Sequence, residues 1–346
     1  MLLVACGGGA SAPASSAAPA SSPATSASAK PAASASVAAK PAASANASAK
    51  PAGSAAASPA AKGKMVAGYA VLSASQSPLW GAADGGYFAQ HGLDVEVIKA
   101  GAGSVGISAL LSGQIQGLMT SAGSVMNASL EGADLVYVGS IFDKIQQFMI
   151  AKADRSDLNS PKDMKGKKVA MTTPGALSDL SAHLLAHDAG LTDKDFTILR
   201  MNDLPTIRSA VLNGAVDLGM VDSVAGGMDG LKVVADVSKL DVPVSNVGIA
   251  ASRSYYQQHG AEYDAFKLAI DDSIKRIKTD AAFRNALLKK YLSIDDPKQQ
   301  EAFSQELLPT MKDEISINKQ GIENARMYAA YSIPKLDQFD INKIIP

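Results

Sequence analysis

The 346-residue chain has one cysteine, one tryptophan, and aromatic side chains at only 5% of positions. A single cysteine excludes an intrachain disulfide framework and any zinc cluster built on cysteines. No apolar run approaches the ~18 residues that a membrane span requires, so the body is expected to be soluble. The formal charge of −1 leaves no excess of either sign to attract nucleic acid or an acidic surface. That near-neutrality is a sum of unlike parts. Residues 1–64 contain no acid and five lysines (Lys30, Lys40, Lys50, Lys62, Lys64); taking their +5 from −1 leaves −6 on the other 282 residues. Seven of the 16 prolines also fall in that first stretch, which is therefore read separately from the rest.

From Gly7 to Lys64 the composition is almost wholly Ala, Ser, Pro, Gly and Lys. Such a segment buries too little apolar surface to offset the entropy of ordering, and is expected to be a disordered linker over 7–64. Alanine favours helix, but proline at 13, 19, 23, 31, 41, 51 and 59 removes donors and blocks long helices. The ten-residue repeat of Ala-Lys-Pro-Ala at 29, 39 and 49 is too polar and proline-broken for a solenoid. A flexible chain of this length reaches about 40 Å, the property of a tether. Ahead of it, Leu3-Val4-Ala5-Cys6 resembles a bacterial lipobox, which makes Cys6 the expected lipidation site and residues 1–6 the remnant of a lipoprotein signal. Only five residues precede Cys6, too few for a basic region and an apolar core, so the start is read as late or truncated.

From Met65 onward the pattern alternates strand and helix. Val66–Val71 reads as a strand, Leu79–His91 as a helix stopped by Gly92, and Asp94–Ile98 as a strand. Ser104–Leu111 is a helix, Gln116–Met119 a strand, Ser124–Leu130 a helix, and Leu135–Val138 a strand. Apolar strands alternating with helices imply an α/β protein with mainly parallel sheets. Two stretches then repeat. Ala109-Leu110-Leu111-Ser112-Gly113-Gln114-Ile115-Gln116 matches Ala210-Val211-Leu212-Asn213-Gly214-Ala215-Val216-Asp217 at a spacing of 101 residues, helix end into strand. Gly92-Leu93 has a weaker echo in Gly190-Leu191 before a strand at Phe196–Leu199. Two such units predict two lobes rather than one continuous sheet. Beyond them, Tyr263–Ile277, Ala281–Tyr291 and Pro297–Leu307 have amphipathic helical spacing.

An ordered set of short motifs carries a family resemblance. Pro78-Leu79-Trp80, Gly86-Tyr87-Phe88 and Gly92-Leu93-Asp94-Val95 come first. Leu111-Ser112-Gly113-Gln114-Ile115, Asp163-Met164-Lys165-Gly166-Lys167-Lys168-Val169 and Leu212-Asn213-Gly214-Ala215-Val216-Asp217 follow. Together they resemble the SsuA-like periplasmic binding proteins, in the family's order from Pro78 to Asp217. Gln116 departs from the pattern, which commonly has Asp there. The resemblance implies a type II periplasmic binding fold: two α/β lobes joined by two crossing strands, with a ligand held between them. It also implies a receptor for a sulfonate, nitrate, a pyrimidine (thiamine precursor) or a similar small molecule, handed to an ABC permease. The crossings are expected at Gln147–Ala151 and Val247–Ala251. The first lobe is then 65–151 together with 247–346, and the second 152–246.

Ligands of open parallel sheets sit beyond the carboxyl ends of strands, where helix N-termini supply N–H groups and partial positive charge. Four loops have the composition for this: Ser73–Ser77, Gly101–Ser104, Thr120–Ser124 and Thr172–Gly175. Small hydroxyl residues let a ligand approach the backbone and add donors, although the same residues are common in caps and turns. The candidate ligand residues are Ser75, Gln76, Gly103, Ser104, Thr120, Ser121, Ser124, Thr172, Thr173 and Gly175. To these are added Trp80 and Phe142 as an apolar wall and Asp222 as an acid facing a ligand's amine or hydroxyl. Trp80 serves equally well as core packing, and Asp222 and the comparable Asp143 as helix caps. No arginine lies in the four loops, and Arg208 lies within a helix.

Other chemistries fail on specific residues. Gly101-x-Gly103-x-x-Gly106 formally matches a dinucleotide fingerprint, but no acid stands about 20 residues on, and NAD binding is rejected. His183 and His187 are spaced i, i+4 as metal ligands often are, but without the Glu of a His-Glu-x-x-His motif they are read as exposed surface histidines. There is no Gly-x-Ser-x-Gly elbow and no Walker lysine. An enzyme of the thiamine-pyrimidine type uses a cysteine-rich motif, whereas Cys6 is the single cysteine. A ligand-sensing regulator would carry a DNA-binding helix pair where this chain has its tether. The reading is a monomeric, lipid-anchored extracytoplasmic receptor without cofactor, metal, catalytic residue or nucleic-acid partner. The alternative is such an enzyme or sensor on the same fold.

Overall fold

The computed structural model describes residues 63–101, 103–222 and 229–346. Cys6, the expected linker up to residue 62, and Ala102 and Ser223 lie outside the described residues. The first lobe opens with β1 (Gly63–Tyr69), α1 (Ser77–Asp84), α2 (Tyr87–Gln90), β2 (Leu93–Lys99), α3 (Ser104–Leu111), β3 (Gly117–Thr120), α4 (Ala122–Leu130) and β4 (Leu135–Phe142). β1 pairs in parallel with β2 from Gly63 opposite Leu93, so Gly63 and Lys64, assigned to the linker on composition, are strand residues. The strand also ends at Tyr69, two residues before the expected Val71. The single helix expected over Leu79–His91 is two helices. Gly86 between them has φ of 71°, and open space lies where a side chain would point, so the dihedral rather than crowding favours glycine there.

The second lobe comprises β5 (Gln147–Lys152), β6 (Lys168–Met171), α5 (Leu177–Asp188), β7 (Thr197–Arg200), α6 (Leu204–Leu212), β8 (Leu218–Asp222) and β9 (Leu231–Asp236). Its strands are ordered β7-β6-β8-β5-β9. The chain returns through β10 (Val247–Ser252) to α7 (Arg253–Gln258), α8 (Gly260–Thr279), α9 (Ala281–Leu292), α10 (Pro297–Glu306), β11 (Met311–Ser316) and α11 (Lys319–Ala329). The first sheet is ordered β11-β4-β10-β3-β1-β2. Each sheet holds a parallel triplet, β2-β1-β3 or β7-β6-β8, extended by antiparallel strands.

The internal repeat maps onto those triplets: α3 into β3, and α6 into β8, occupy equivalent places. Gln116 clarifies the departure noted at that position. Its Oε1 accepts from the N–H of Val66 at 2.7 Å, as Asp217 Oδ2 accepts from Lys168 N–H at 2.9 Å in the other lobe. An amide oxygen thus does the work of the carboxylate, tying the start of one parallel strand to the first part of its neighbour.

The expected first crossing at Gln147–Ala151 is displaced. That segment pairs along its length with β8 on one side and β9 on the other, so it is interior to the second sheet. A strand hydrogen-bonded on both edges cannot also be the connection, and the change-over falls in the short segment between Phe142 and Gln147. The second expected crossing, Val247–Ala251, is displaced by the same test: β10 pairs with β3 and β4 inside the first sheet, and the change-over falls between Asp236 and Val247. The C-terminal part is likewise not confined to one lobe, because α11 packs against both α4 and α5. Ile322, Ala325, Tyr328 and Ala329 of α11 are buried in one continuous core with Val125 and Met126 of α4 and Leu180 and Leu184 of α5.

On the far side of the first sheet, α8 buries Tyr263, Phe266, Ile270, Ile274 and Ile277 at i, i+3/i+4 spacing. Each such side chain, fully buried, contributes about 1.5–3 kcal/mol, which makes α8 the main cover of that sheet.

Candidate functional site

The strands β1, β3 and β6 end in serine- and threonine-rich turns that lead into helices, and the folded chain brings these ends together. Ser73 Oγ accepts from Ser75 N–H at 3.4 Å before α1. Ser121 caps α4 through Ser124 N–H at 3.1 Å. After β6, Ser178 Oγ accepts from Thr172 N–H at 2.9 Å and lies 2.6 Å from Thr172 Oγ1. Between the lobes these turns enclose a cleft with about 570 Å³ of free space, including space open to solvent.

Of the residues singled out in the sequence, Ser75, Gln76, Gly103, Thr120, Ser121, Ser124, Thr172 and Thr173 line this cleft. The others lie elsewhere. Trp80 is fully buried in the first lobe, stacked on Tyr291 at 4.5 Å and meeting Tyr69 edge-on at 5.4 Å; it packs the core instead of walling the cleft. Phe142 is fully buried in the same core. Ser104 faces a neighbouring groove between α3 and α4. Gly175 is not in the lining but touches it, its carbonyl accepting from Ser121 Oγ at 3.0 Å. Asp222 is buried in an ion pair with Arg208 from α6, which consumes the charge expected to face a ligand. Asp143 is held by Lys312 and Asn318, both at 3.0 Å, at the crossing.

Two residues that the loop composition does not pick out complete the site, Gln147 and Asn246, each at an end of a crossing. Asn246 Nδ2 donates to the carbonyl of Lys144 at 2.6 Å, and Val244 N–H to that of Asp143 at 2.8 Å, so the two crossings are bonded together under the cleft. Carboxamides at positions where the chain leaves one sheet and enters the other were the available signal. The described lining carries hydroxyl, carboxamide and aliphatic groups and no ionisable side chain. Gln76 Oε1, Gln147 Oε1, Thr173 Oγ1 and Asn246 Oδ1 are buried without a partner among the described residues.

Behind the second-lobe wall lies a charged network. Asp179 of α5 is fully buried and accepts from Gly175 N–H at 2.8 Å, from Ser332 Oγ at 2.8 Å and from Arg200. Burial opposes its ionisation, but the hydrogen bond from His183 and the charge of Arg200 outweigh it and hold the carboxyl below the usual range. His183 is buried too, its Nε2 2.6 Å from Ser332 Oγ and its Nδ1 2.8 Å from Asp193, while His187 is exposed. The i, i+4 histidine pair is thus split between core and surface, against the reading of both as surface residues. Among the described residues no group of three or more His, Cys, Asp or Glu is arranged to hold a metal ion, and no helix is long and apolar enough to cross a membrane.

A sequence model of the family described as "NMT1/THI5 like" matches residues 74–281. No curated protein matches the chain in sequence. Solved structures with a similar fold include the periplasmic aliphatic sulphonate binding protein SsuA of Escherichia coli, at 20% identity and TM-score 0.68, covering 82% of this chain and 92% of that one. The alkanesulfonate-binding protein SsuA of Xanthomonas axonopodis pv. citri, bound to MOPS, gives 20% identity and TM-score 0.68 over 84% and 97% of the two chains. The periplasmic nitrate-binding protein NrtA of Synechocystis PCC 6803 gives 14% and 0.60 over 78% and 80%.

Proposed function

Because the chain belongs to the NMT1/THI5-like family, we propose that it is an extracytoplasmic solute-binding receptor, which closes two lobes on a small molecule and delivers it to an ABC importer. The observation that carries the reading is the cleft itself. Its walls come from both lobes, its floor is the pair of crossings, and buried polar atoms there await partners. Similarity of fold to a periplasmic aliphatic sulphonate binding protein and a periplasmic nitrate-binding protein supports the same reading. The ligand-contacting residues are Ser75, Gln76, Gly103, Thr120, Ser121, Ser124, Thr172 and Thr173, joined by Gln147 and Asn246.

A receptor is favoured over an enzyme because the described lining offers no group that titrates near neutral pH. Hydroxyls and carboxamides can bind and orient, but proton transfer needs an acid or base within reach. Anchoring is part of the proposal: Cys6 is the lipidated residue, the stretch that follows is the tether, and the receptor works as a monomer at the membrane.

A thermal-shift screen of the purified full chain against sulfonates, nitrate, pyrimidines, flavins and amines tests the reading. A ligand at 100 times its Kd stabilises the native state by about 2.7 kcal/mol, a rise of several degrees in Tm for a body of this size. If no compound raises the Tm, the receptor reading fails.

A further inference from the structure

Resting on the receptor reading, we propose that the ligand is an uncharged molecule rich in N–H donors, of the carboxamide or lactam class, rather than an anion such as nitrate or a sulfonate. Charge is the first argument. The described lining has no lysine, arginine or histidine to neutralise an anion and no carboxylate for a cation. The undescribed positions 102 and 223–228 are Ala, Ser, Val, Gly and Met in the sequence, and add none. Taking an unpaired ion out of water costs several kcal/mol, so such a wall selects neutral ligands.

An anion can still be held by main-chain N–H groups at helix starts. Here the chain itself occupies several of the donors around the cleft. Ser75 N–H is bonded to Ser73 Oγ, Ser124 N–H to Ser121 Oγ, and Thr172 N–H to Ser178 Oγ. Just behind the wall, Gly175 N–H is taken by Asp179.

What remains open is of the opposite kind. Asn246 is fully buried, and its orientation is fixed because Nδ2 donates to the Lys144 carbonyl; its Oδ1 is therefore an acceptor without a donor. Gln76 Oε1 and Gln147 Oε1 are likewise buried and unpartnered among the described residues. At the lining, the fixed acceptor Asn246 Oδ1 calls for an N–H or O–H group on the ligand, and the Gln76 and Gln147 carboxamides, which carry both donor and acceptor, can turn their oxygens to the same molecule. Hydroxyls such as that of Thr173 remain to donate to a ligand carbonyl.

Calorimetric titration of the full chain with nicotinamide, acetamide and uracil, beside nitrate and methanesulfonate, tests this. The variants are Gln147→Glu, which keeps an acceptor of nearly the same shape while adding negative charge, and Asn246→Ala, with Tm as a folding control. The expected result is binding of at least one neutral probe and of neither anion. Asn246→Ala is expected to weaken that affinity more than tenfold, and Gln147→Glu to weaken it by less than a hundredfold. Binding of nitrate or methanesulfonate, lost a hundredfold in Gln147→Glu, overturns the ligand class and leaves the receptor reading standing. If neither neutral nor anionic probes bind but other compounds raise the Tm in the wider screen, the class fails alone. If nothing binds in either experiment, both fail together.

Discussion

Ser121 Oγ, at the start of α4 in the first lobe, donates to the main-chain carbonyl of Gly175 in the second lobe across 3.0 Å. The contact is tight because neither side carries bulk: a Cβ on Gly123 would lie 2.5 Å from Gly175 O. Gly175 is in turn held through its N–H by Asp179, whose carboxylate takes a hydrogen bond from Ser332 beyond α11. A line of hydrogen bonds therefore runs from the cleft, through the second lobe, to the C-terminal segment.

Gly123→Ala separates closure from folding. Gly123 sits in the first turn of α4, where alanine favours helix by up to about 1 kcal/mol, so the lobe itself is not weakened. The added methyl meets main-chain oxygen in the other lobe, which cannot rotate away. Ligand affinity is expected to fall at least tenfold, with any drop in unfolding temperature limited because the lobes can part to relieve the overlap. Calorimetry and the radius of gyration from X-ray scattering read both. Unchanged affinity would show that this contact is not part of the bound form.

Asp179→Asn tests the buried network. Its carboxylate faces Arg200, and removing one partner of a buried pair costs about 3–5 kcal/mol. The folded-state carboxyl lies below its unfolded value, so its contribution is present above about pH 4 and is lost as pH falls through the folded value. Urea unfolding is expected to show a large loss at pH 7 that shrinks below pH 4. Equal stability of variant and parent at pH 7 would remove the network from the account.

Trp80 gives a control on the cleft. It is fully buried between Tyr291 and Tyr69 and outside the lining. Trp80→Ala is expected to cost about 3–5 kcal/mol of stability by opening a cavity, while the fraction that folds keeps its ligand affinity. A specific loss of affinity at unchanged Tm would return this residue to the binding site.

Periodicity and the 101-residue repeat made the two lobes legible, because apolar strands and glycine-stopped helices leave local signatures. The helix at Ser104–Leu111 agrees with the structure at both ends. Less was visible where tertiary context decides. β9, with every residue only partly buried or exposed, lacks a clear alternation, and β11 is short and charged. The serine and threonine turns that line the cleft were recognisable by composition. Gln147 and Asn246 were not, because a carboxamide at a strand end looks like any polar residue until the opposite crossing is brought beside it. Asp222 misleads for the same reason: Arg208 lies 14 positions earlier, and only the packing of α6 on β8 joins them.

Glu306, at the end of α10, is half-buried with one carboxyl oxygen unpartnered among the described residues. Burial, then the nearby charges of Asp236 and Asp222, push its carboxyl up to about 7. A group that holds its proton longer folded than unfolded favours the native state below its unfolded value of 4.5, and that preference is lost as pH rises through about 7. Stability from this site therefore falls between pH 4.5 and 7, opposite in sign to Asp179. Discounted for partial exposure, the penalty at pH 8 is about 1 kcal/mol. Glu306→Gln is expected to equal the parent at pH 5 and exceed it by that amount at pH 8, as read by urea unfolding across the range. Asp236 and Asp222 belong to β9 and β8 of the second sheet, while α10 follows the return to the first, so the repulsion acts between lobes. A variant whose advantage is the same at both pH values would assign the effect to packing and not to charge.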